Sequence, residues 1–208
     1  MKAEVAFYDR LEENQVRCRI CPHNCLIRAG KRGICRVRIN LGGTLFAANY
    51  GEVSSLALDP IEKKPLYHFH PGKHILSVGT VGCNFDCGFC QNYQIAHEDP
   101  PTRFMSPFEL AELAREARER GSVGVAFTYS EPLMWYEYLR DALPVVEAEG
   151  LVNVLVTNGY INHQPLMAIL PHVKAMNIDL KSFSEQFYRI NCHARLAPVQ
   201  AVIEICAA

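Results

Sequence analysis

The chain has 208 residues, 49% of them hydrophobic and 21% charged, with a formal net charge of −1. That length suits one domain with a small addition and allows burial of roughly 70% of the unfolded surface. The near-neutral balance gives no general attraction to nucleic acid or anionic membrane, and no apolar run reaches the ~18 residues of a membrane span.

The first residues carry acids where a signal peptide would have an apolar stretch, so a cytoplasmic location is expected. Residues 1 to about 16 read as a short polar helix centred on residues 7–13. Nine cysteines is a high count, and seven of them fall in two tight groups. That arrangement suits metal binding in a reducing compartment better than disulfides. Cys192 and Cys206 stand apart and are expected to be buried thiols.

The first group is Cys18, Cys21, Cys25 and Cys35, spaced C-x2-C-x3-C-x9-C. Four thiolates satisfy a tetrahedral zinc, and a loop-rich segment without its own core needs such a staple. A second, fully ligated iron–sulfur cluster fits the same residues, and spacing does not choose between them. Arg17, Arg19, Arg28, Lys31, Arg32, Arg36 and Arg38 surround the group. An RNA contact is the functional reading of these charges, but without aromatic interleaving a solvated basic face is preferred. Residues 34–41 and 44–50 alternate partly at period two around Gly42-Gly43, a hairpin turn signal. Residues 1–58 are therefore expected to form a Cys-rich, metal-binding β appendage. Residues 59–74, stiffened by Pro60 and Pro65, are expected to link it to a core over 75–208.

From residue 75 the pattern becomes strand, helix, strand, helix. A first strand over 74–79 runs into Cys83, Cys87 and Cys90, spaced C-x3-C-x2-C. Three thiolates in one loop leave a [4Fe–4S] cube with one iron lacking a protein ligand, and an open position is what distinguishes catalytic metal sites. Gly82 and Gly88 let the backbone wrap round a bulky group. The plainer readings are three free thiols, or a zinc completed by His97 at a spacing foreign to zinc fingers. Ser106-Pro107-Phe108-Glu109 opens a helix that Gly121 ends. Residues 123–129 are a second strand. Residues 133–149 are a helix broken or kinked at Pro144, and 152–157 a third strand. A short helix near 165–170, a fourth strand within 173–180, a turn capped by Ser184 and a last helix over 196–206 follow.

Successive βα units imply a parallel sheet, whose sites form beyond the C-terminal strand ends. Those ends carry the cysteine loop, Thr128-Tyr129-Ser130-Glu131, Thr157-Asn158-Gly159 and Asp179-Leu180-Lys181. Taken singly, Glu131-Pro132 is a helix start, Asn158-Gly159 a turn and Asp179 with Lys181 a surface ion pair. Their convergence with three thiolates on one rim is the stronger signal.

The Cys83–Cys90 spacing, with Phe89 before the third cysteine, resembles the radical S-adenosylmethionine (SAM) enzymes. With Cys18-Arg19-Ile20-Cys21-Pro22, Asp59-Pro60-Ile61-Glu62-Lys63-Lys64-Pro65, Tyr129-Ser130-Glu131-Pro132 and Asp179-Leu180-Lys181, the chain is most similar to the radical SAM member of the AmmeMemoRadiSam system. That family is related to pyruvate formate-lyase activating enzymes. The resemblance implies an α/β fold, a partial (βα)6 barrel, expected here to be truncated after about four βα units. It implies a [4Fe–4S] cluster on Cys83, Cys87 and Cys90, with SAM on the open iron. Phe89 matches the aromatic residue beside adenine. Glu131 stands where many relatives have the acid of a Gly-Gly-Glu motif, although the glycines are absent. Thr157, Asn158, Asp179 and Lys181 match positions near the SAM methionine and ribose. The implied activity is reductive cleavage of SAM to a 5′-deoxyadenosyl radical that takes hydrogen from an unidentified substrate. The implied partners are a flavodoxin- or ferredoxin-type electron donor and, for an activating enzyme, a protein substrate. The competing class is a non-catalytic zinc or iron–sulfur module with a protein or RNA partner.

Overall fold

The computed structural model describes residues 2–207; residues 1 and 208, the outer ends of the expected domains, lie outside the described residues. The N-terminal part begins with strands, not the helix expected over residues 1 to about 16. Tyr8–Arg10 pairs antiparallel with Val16–Cys18, which pairs with Leu26–Ile27. A short polar helix has little to stabilise it in isolation. Pairing instead buries Val16 and Cys18, and Glu13 and Asn14 turn the chain with positive φ.

A second small sheet joins Ala3–Glu4, Thr44–Ala47 and Arg38–Leu41. Its hairpin turns at Gly42 and Gly43, with φ of 62° and 91°, as the two-residue turn requires. Buried Asn40 braces it: Oδ1 accepts from Gly43 N at 2.8 Å, and Nδ2 donates to the carbonyls of Asn14 and Ile27, both at 2.8 Å.

The main sheet has five strands, in the order Ala175–Ile178, Val152–Thr157, Ser122–Phe127, His74–Gly79, Ser55–Pro60. The first four are mutually parallel, and Ser55–Pro60 closes one edge antiparallel to His74–Gly79. The boundary expected after residue 58 therefore falls inside a strand. Leu56 to Asp59 behave as strand because their register with Ile75–Val78 alternates faces, whereas Pro60 and Pro65 stiffen only the segment beyond the strand.

The Pro107–Glu116 helix carries the expected capping box: Ser106 Oγ accepts from Glu109 N, and Glu109 Oε2 accepts from Ser106 N at 2.7 Å. Such a cap contributes about 1 kcal/mol. A tight last turn, Ala117–Arg120, ends at Gly121 in the left-handed region. Tyr136–Ala148 remains one helix through Pro144 rather than breaking there. The carbonyl that Pro144 leaves without a donor is that of Arg140, an exposed residue that water can serve. The Tyr188–Cys192 turn and the Leu196–Ala207 helix complete the described chain.

One continuous core joins the N-terminal part to the sheet, with Val16, Ile20 and Leu45 packed in the same cluster as Phe127, Trp135 and Leu139. Trp135 stacks on Tyr138 at 4.1 Å and donates its indole N–H to Asn49 O at 2.6 Å. Arg38 Nη2 meets Glu137 Oε2 at 2.9 Å in an ion pair 1% exposed on both sides. Arg38 is thus withdrawn from the basic surface expected of the first cysteine group. The opposite face of the sheet, bearing Ile75, Ala126 and Val154, is lightly covered by Ile61, Leu66 and Phe69. At period two that face continues to Val156 and Asn177, which line a large cavity beyond the strand ends.

Candidate functional site

The His74–Gly79 strand delivers its chain directly into the three-cysteine loop. Gly82 has φ of 91°, and a Cβ there would stand 2.5 Å from Val37 Cγ1 and 2.8 Å from the Cys35 carbonyl oxygen. Only glycine fits this approach. Gly88, by contrast, has open space where a Cβ would lie, so its small size is not a packing requirement. Gly82→Ala should disturb the loop by roughly 1–3 kcal/mol, measured as a lower urea midpoint together with reduced iron loading. An unchanged midpoint with full loading would contradict this account of the turn.

The loop is tied down from three sides. Asp86 N and Gly88 N donate to the carbonyls of Cys192 and Asn191, both at 3.2 Å. Asn84 Nδ2 donates to Tyr160 O at 2.7 Å, and Asn84 Oδ1 accepts from Asn158 Nδ2 at 2.9 Å. Asn92 Nδ2 donates to Tyr129 O at 2.7 Å. Cys83 Sγ accepts from Phe85 N at 3.4 Å and from Asn158 Nδ2 at 3.8 Å. As free thiols these cysteines resist ionising. Burial, then the nearby Glu131, pushes Cys83 well up, and burial with the adjacent Cys192 pushes Cys87 up to about 12. A bound cation reverses that preference, because metal ligands are deprotonated outright.

Cys83, Cys87 and Cys90 open into one cavity of about 730 Å3. Phe89, Glu131, Thr157, Asn158, Asp179 and Lys181 line the same cavity, so the residues expected at separate strand ends share one space. His97 is not among its walls; it sits 3.8 Å from Asp86. Among the described residues no three Cys, His, Asp or Glu side chains close on a single metal ion.

Glu131 is 2% exposed and joins strand ends. Its Oε1 accepts from Thr157 Oγ1 at 2.5 Å and Leu133 N at 3.0 Å, and its Oε2 from Asn158 N at 2.8 Å. Burial raises its pKa to about 7 against the pull of these donors. Lys181 Nζ meets Asp179 Oδ2 at 2.8 Å. Burial alone would lower the Lys181 pKa, but Asp179, Cys87 and Glu131 together hold it above its ordinary value. Phe89 is half-exposed, its ring 5.7 Å from that of Phe187.

Lys63, Lys64 and Pro65, expected in a linker, also reach the cavity wall. Asp59 organises them: its carboxylate accepts from Lys64 Nζ at 2.8 Å, Lys63 Nζ at 2.9 Å and Tyr129 OH at 2.8 Å. Although burial opposes it, these three donors hold the Asp59 carboxyl well below the usual range. Lys64 is 2% exposed, its ammonium 4.7 Å from the Tyr129 ring centre. Asn177, at the same wall, keeps Oδ1 buried without a hydrogen-bond partner among the described residues. The signal for this cluster was the run Asp59 to Pro65 itself, two lysines four and five residues after an acid, but it read as a linker.

The site suits a thiolate-held cluster with an open iron. Its soft donors come from one short loop, the remaining wall is polar and charged of both signs, and the cavity is far larger than an ion requires.

Residues 77–208 match the family described as the Radical SAM superfamily. Over 199 residues the chain is 46% identical to the uncharacterized protein MJ0808 of Methanocaldococcus jannaschii, covering 94% of this chain and 58% of that protein. Over 77 residues it is 38% identical to a biotin synthase of Rhodopseudomonas palustris, covering 35% of this chain and 21% of that enzyme. Streptococcus suis SuiB bound to S-adenosylmethionine superposes with a TM-score of 0.49 at 17% identity, over 60% of this chain and 28% of that one. The chain spans 58% of the length of the Methanocaldococcus relative. No helix among the described residues is long and apolar enough to cross a membrane.

Proposed function

Because the chain belongs to the radical SAM superfamily, we propose that Cys83, Cys87 and Cys90 hold a [4Fe–4S] cluster and that SAM binds the open iron from the adjoining cavity. The observation that carries this is the opening of all three thiols into the one cavity that the second, third and fourth parallel strands line with Glu131, Thr157, Asn158, Asp179 and Lys181. Held by these three thiolates and reduced, such a cluster would supply the one electron that cleaves SAM to methionine and a 5′-deoxyadenosyl radical, which would take a hydrogen atom from the substrate.

The chain's own residues do the rest by orientation and exclusion. Lys181 and Asp179 offer a cation and an anion side by side, matching the carboxylate and ammonium of an amino acid. Glu131, with both oxygens committed to the backbone and Thr157, acts as a positioning residue for the Thr157-Asn158 turn. Phe89 offers a flat apolar surface to a purine. Asn158 donates toward Cys83 Sγ, which favours the thiolate. The segment from Lys63 to Pro65 faces the same space, and Asp59 fixes both of its lysines there. The SAM-binding roles of Phe89, Glu131, Thr157, Asn158, Asp179 and Lys181 are part of this proposal.

Within the superfamily we assign the chain to the AmmeMemoRadiSam-type enzymes, with a flavodoxin- or ferredoxin-type donor in the cytoplasm. The motifs Asp59–Pro65 and Asp179–Lys181 support this, since both reach the cavity. Within this resemblance, an activating role on a protein substrate competes with modification of a small molecule.

The test is anaerobic reconstitution with iron and sulfide, then SAM and dithionite. Equal amounts of methionine and 5′-deoxyadenosine are expected. A brown chain with a full cluster that leaves SAM intact would reject the activity. Deuterium carried from a labelled candidate into 5′-deoxyadenosine identifies the substrate, and transfer from a backbone glycine would support the activating role.

A further inference from the structure

The cavity that Cys83, Cys87 and Cys90 enter extends below the strand ends. Asp59 stands opposite Ile75 in the sheet, about 13 Å along the strand before Gly79, where the chain turns towards the cysteine loop. Between those two levels the same face of the sheet carries Ala57, Ser77, Ala126 and Ala175 in register with Val154. Side chains this short leave depth above the sheet.

Lys64 lines this space and is 2% exposed. An ammonium has three N–H groups to place. One is donated to Asp59 Oδ2 at 2.8 Å, and the Tyr129 ring centre faces the nitrogen at 4.7 Å. No other acceptor meets it among the described residues. A buried donor at a cavity wall is thus left for a ligand.

The surroundings fix that nitrogen. Tyr129 donates its hydroxyl to the same Asp59 oxygen at 2.8 Å, and its backbone takes a φ of 74°, which a bulky residue rarely adopts. Its ring lies over Gly79, where a Cβ would come within 2.9 Å of Tyr129 Cδ2. Its carbonyl accepts from Asn92 Nδ2, just past Cys90. Strain of this kind persists where neighbours over-determine it, and it gathers at ligand clamps. Tyr129 so ties the Lys64 nitrogen to the cysteine loop.

Charge defines the ligand. Two ammoniums, Lys63 and Lys64, meet one carboxylate, Asp59, and leave a net positive charge at this wall. A single negative charge balances it, so a carboxylate fits better than a phosphate dianion. Asp179 and Lys181 already match the amino-acid end of SAM, which leaves Lys64 to a second molecule. Asn177 Oδ1, buried at the cavity wall and unpartnered among the described residues, would accept an O–H or N–H of that molecule. We propose that Lys64, held by Asp59 and Tyr129, anchors a carboxylate of the substrate deep in the cavity, beside the SAM site and distinct from it.

Calling the ligand substrate rests on the function proposed above; the binding itself needs no cluster. The probe is trifluoroacetate, its affinity read from the fluorine line width with the full chain before and after anaerobic reconstitution. Binding is expected in both states, and weaker by about tenfold or more in Lys64→Met. Neutral trifluoroacetamide should bind more weakly by a similar factor, and SAM added to the reconstituted chain should leave the probe bound. Equal affinity in Lys64→Met, equal binding of the amide, or displacement of the probe by SAM overturns the proposal. Should Lys64→Met fail to fold by circular dichroism, a crystal structure of the unaltered chain with trifluoroacetate decides. The carboxylate is expected on Lys64 Nζ, and its absence there overturns the proposal. A chain that binds the probe through Lys64 yet leaves SAM intact rejects the activity and keeps the subsite. A chain that cleaves SAM without Lys64-dependent binding does the reverse.

Discussion

Replacing any one of Cys83, Cys87 or Cys90 by alanine is expected to abolish 5′-deoxyadenosine formation. With a single open iron the cube has no spare protein ligand, so two thiolates do not hold it firmly. The three thiols open into the same cavity, and the described residues bring no other cysteine to its wall. Cys192 lies beneath the loop, where its carbonyl accepts from Asp86 N, and its thiol is fully buried. The measurement is iron and sulfide content beside SAM turnover, with circular dichroism as a control on folding. Serine variants should behave like alanine ones, because a hydroxyl does not replace a soft thiolate. A folded variant that retains both its cluster and its turnover would refute the ligand assignment.

Glu131→Ala is expected to cost about 3–5 kcal/mol of stability. The change leaves Leu133 N, Asn158 N and the Thr157 hydroxyl without their shared acceptor in a buried place. A pH dependence accompanies it. Burial raises the folded carboxyl to about 7 from the usual 4.5. Between those values the folded chain holds a proton that the unfolded chain has released. The contribution is therefore fully present below pH 4.5 and is lost as pH rises through about 7, a span of roughly 3 kcal/mol. Urea midpoints of the unaltered chain should fall from pH 5 to pH 8, and those of Glu131→Gln should fall less. Parallel curves for the two chains would show that Glu131 does not titrate in this window.

The parallel strands were legible because each is a short apolar run between turn signals. His74–Gly79 and Val152–Thr157 occur where their patterns end. The Pro107–Glu116 helix was equally clear, since Ser106, Pro107 and Glu109 act locally through the first helical turn. Residues 7–13 misled because polar residues without a cap carry no period, and the pairing of Tyr8–Arg10 with Val16–Cys18 is decided by distant burial. Pro144 suggested a break that packing of Leu139, Ala142, Leu143 and Val146 overrides.

The sequence by itself determined the chemistry on offer. Two sets of thiols, one of three and one of four, come from spacing alone, and so does the delivery of Glu131, Thr157, Asn158, Asp179 and Lys181 to one end of a parallel sheet. Spacing is a local property, and a strand end is where a local pattern stops. Tertiary structure alone decided what those residues face. It withdrew Arg38 from the surface into a buried pair with Glu137, folded Ser55–Pro60 into the sheet, and brought Lys64 to Asp59 and Tyr129 at the cavity wall. It also brought the four N-terminal thiols to the wall of one cavity with buried Arg38. Each depends on contacts between segments far apart in the chain, which a one-dimensional pattern does not encode.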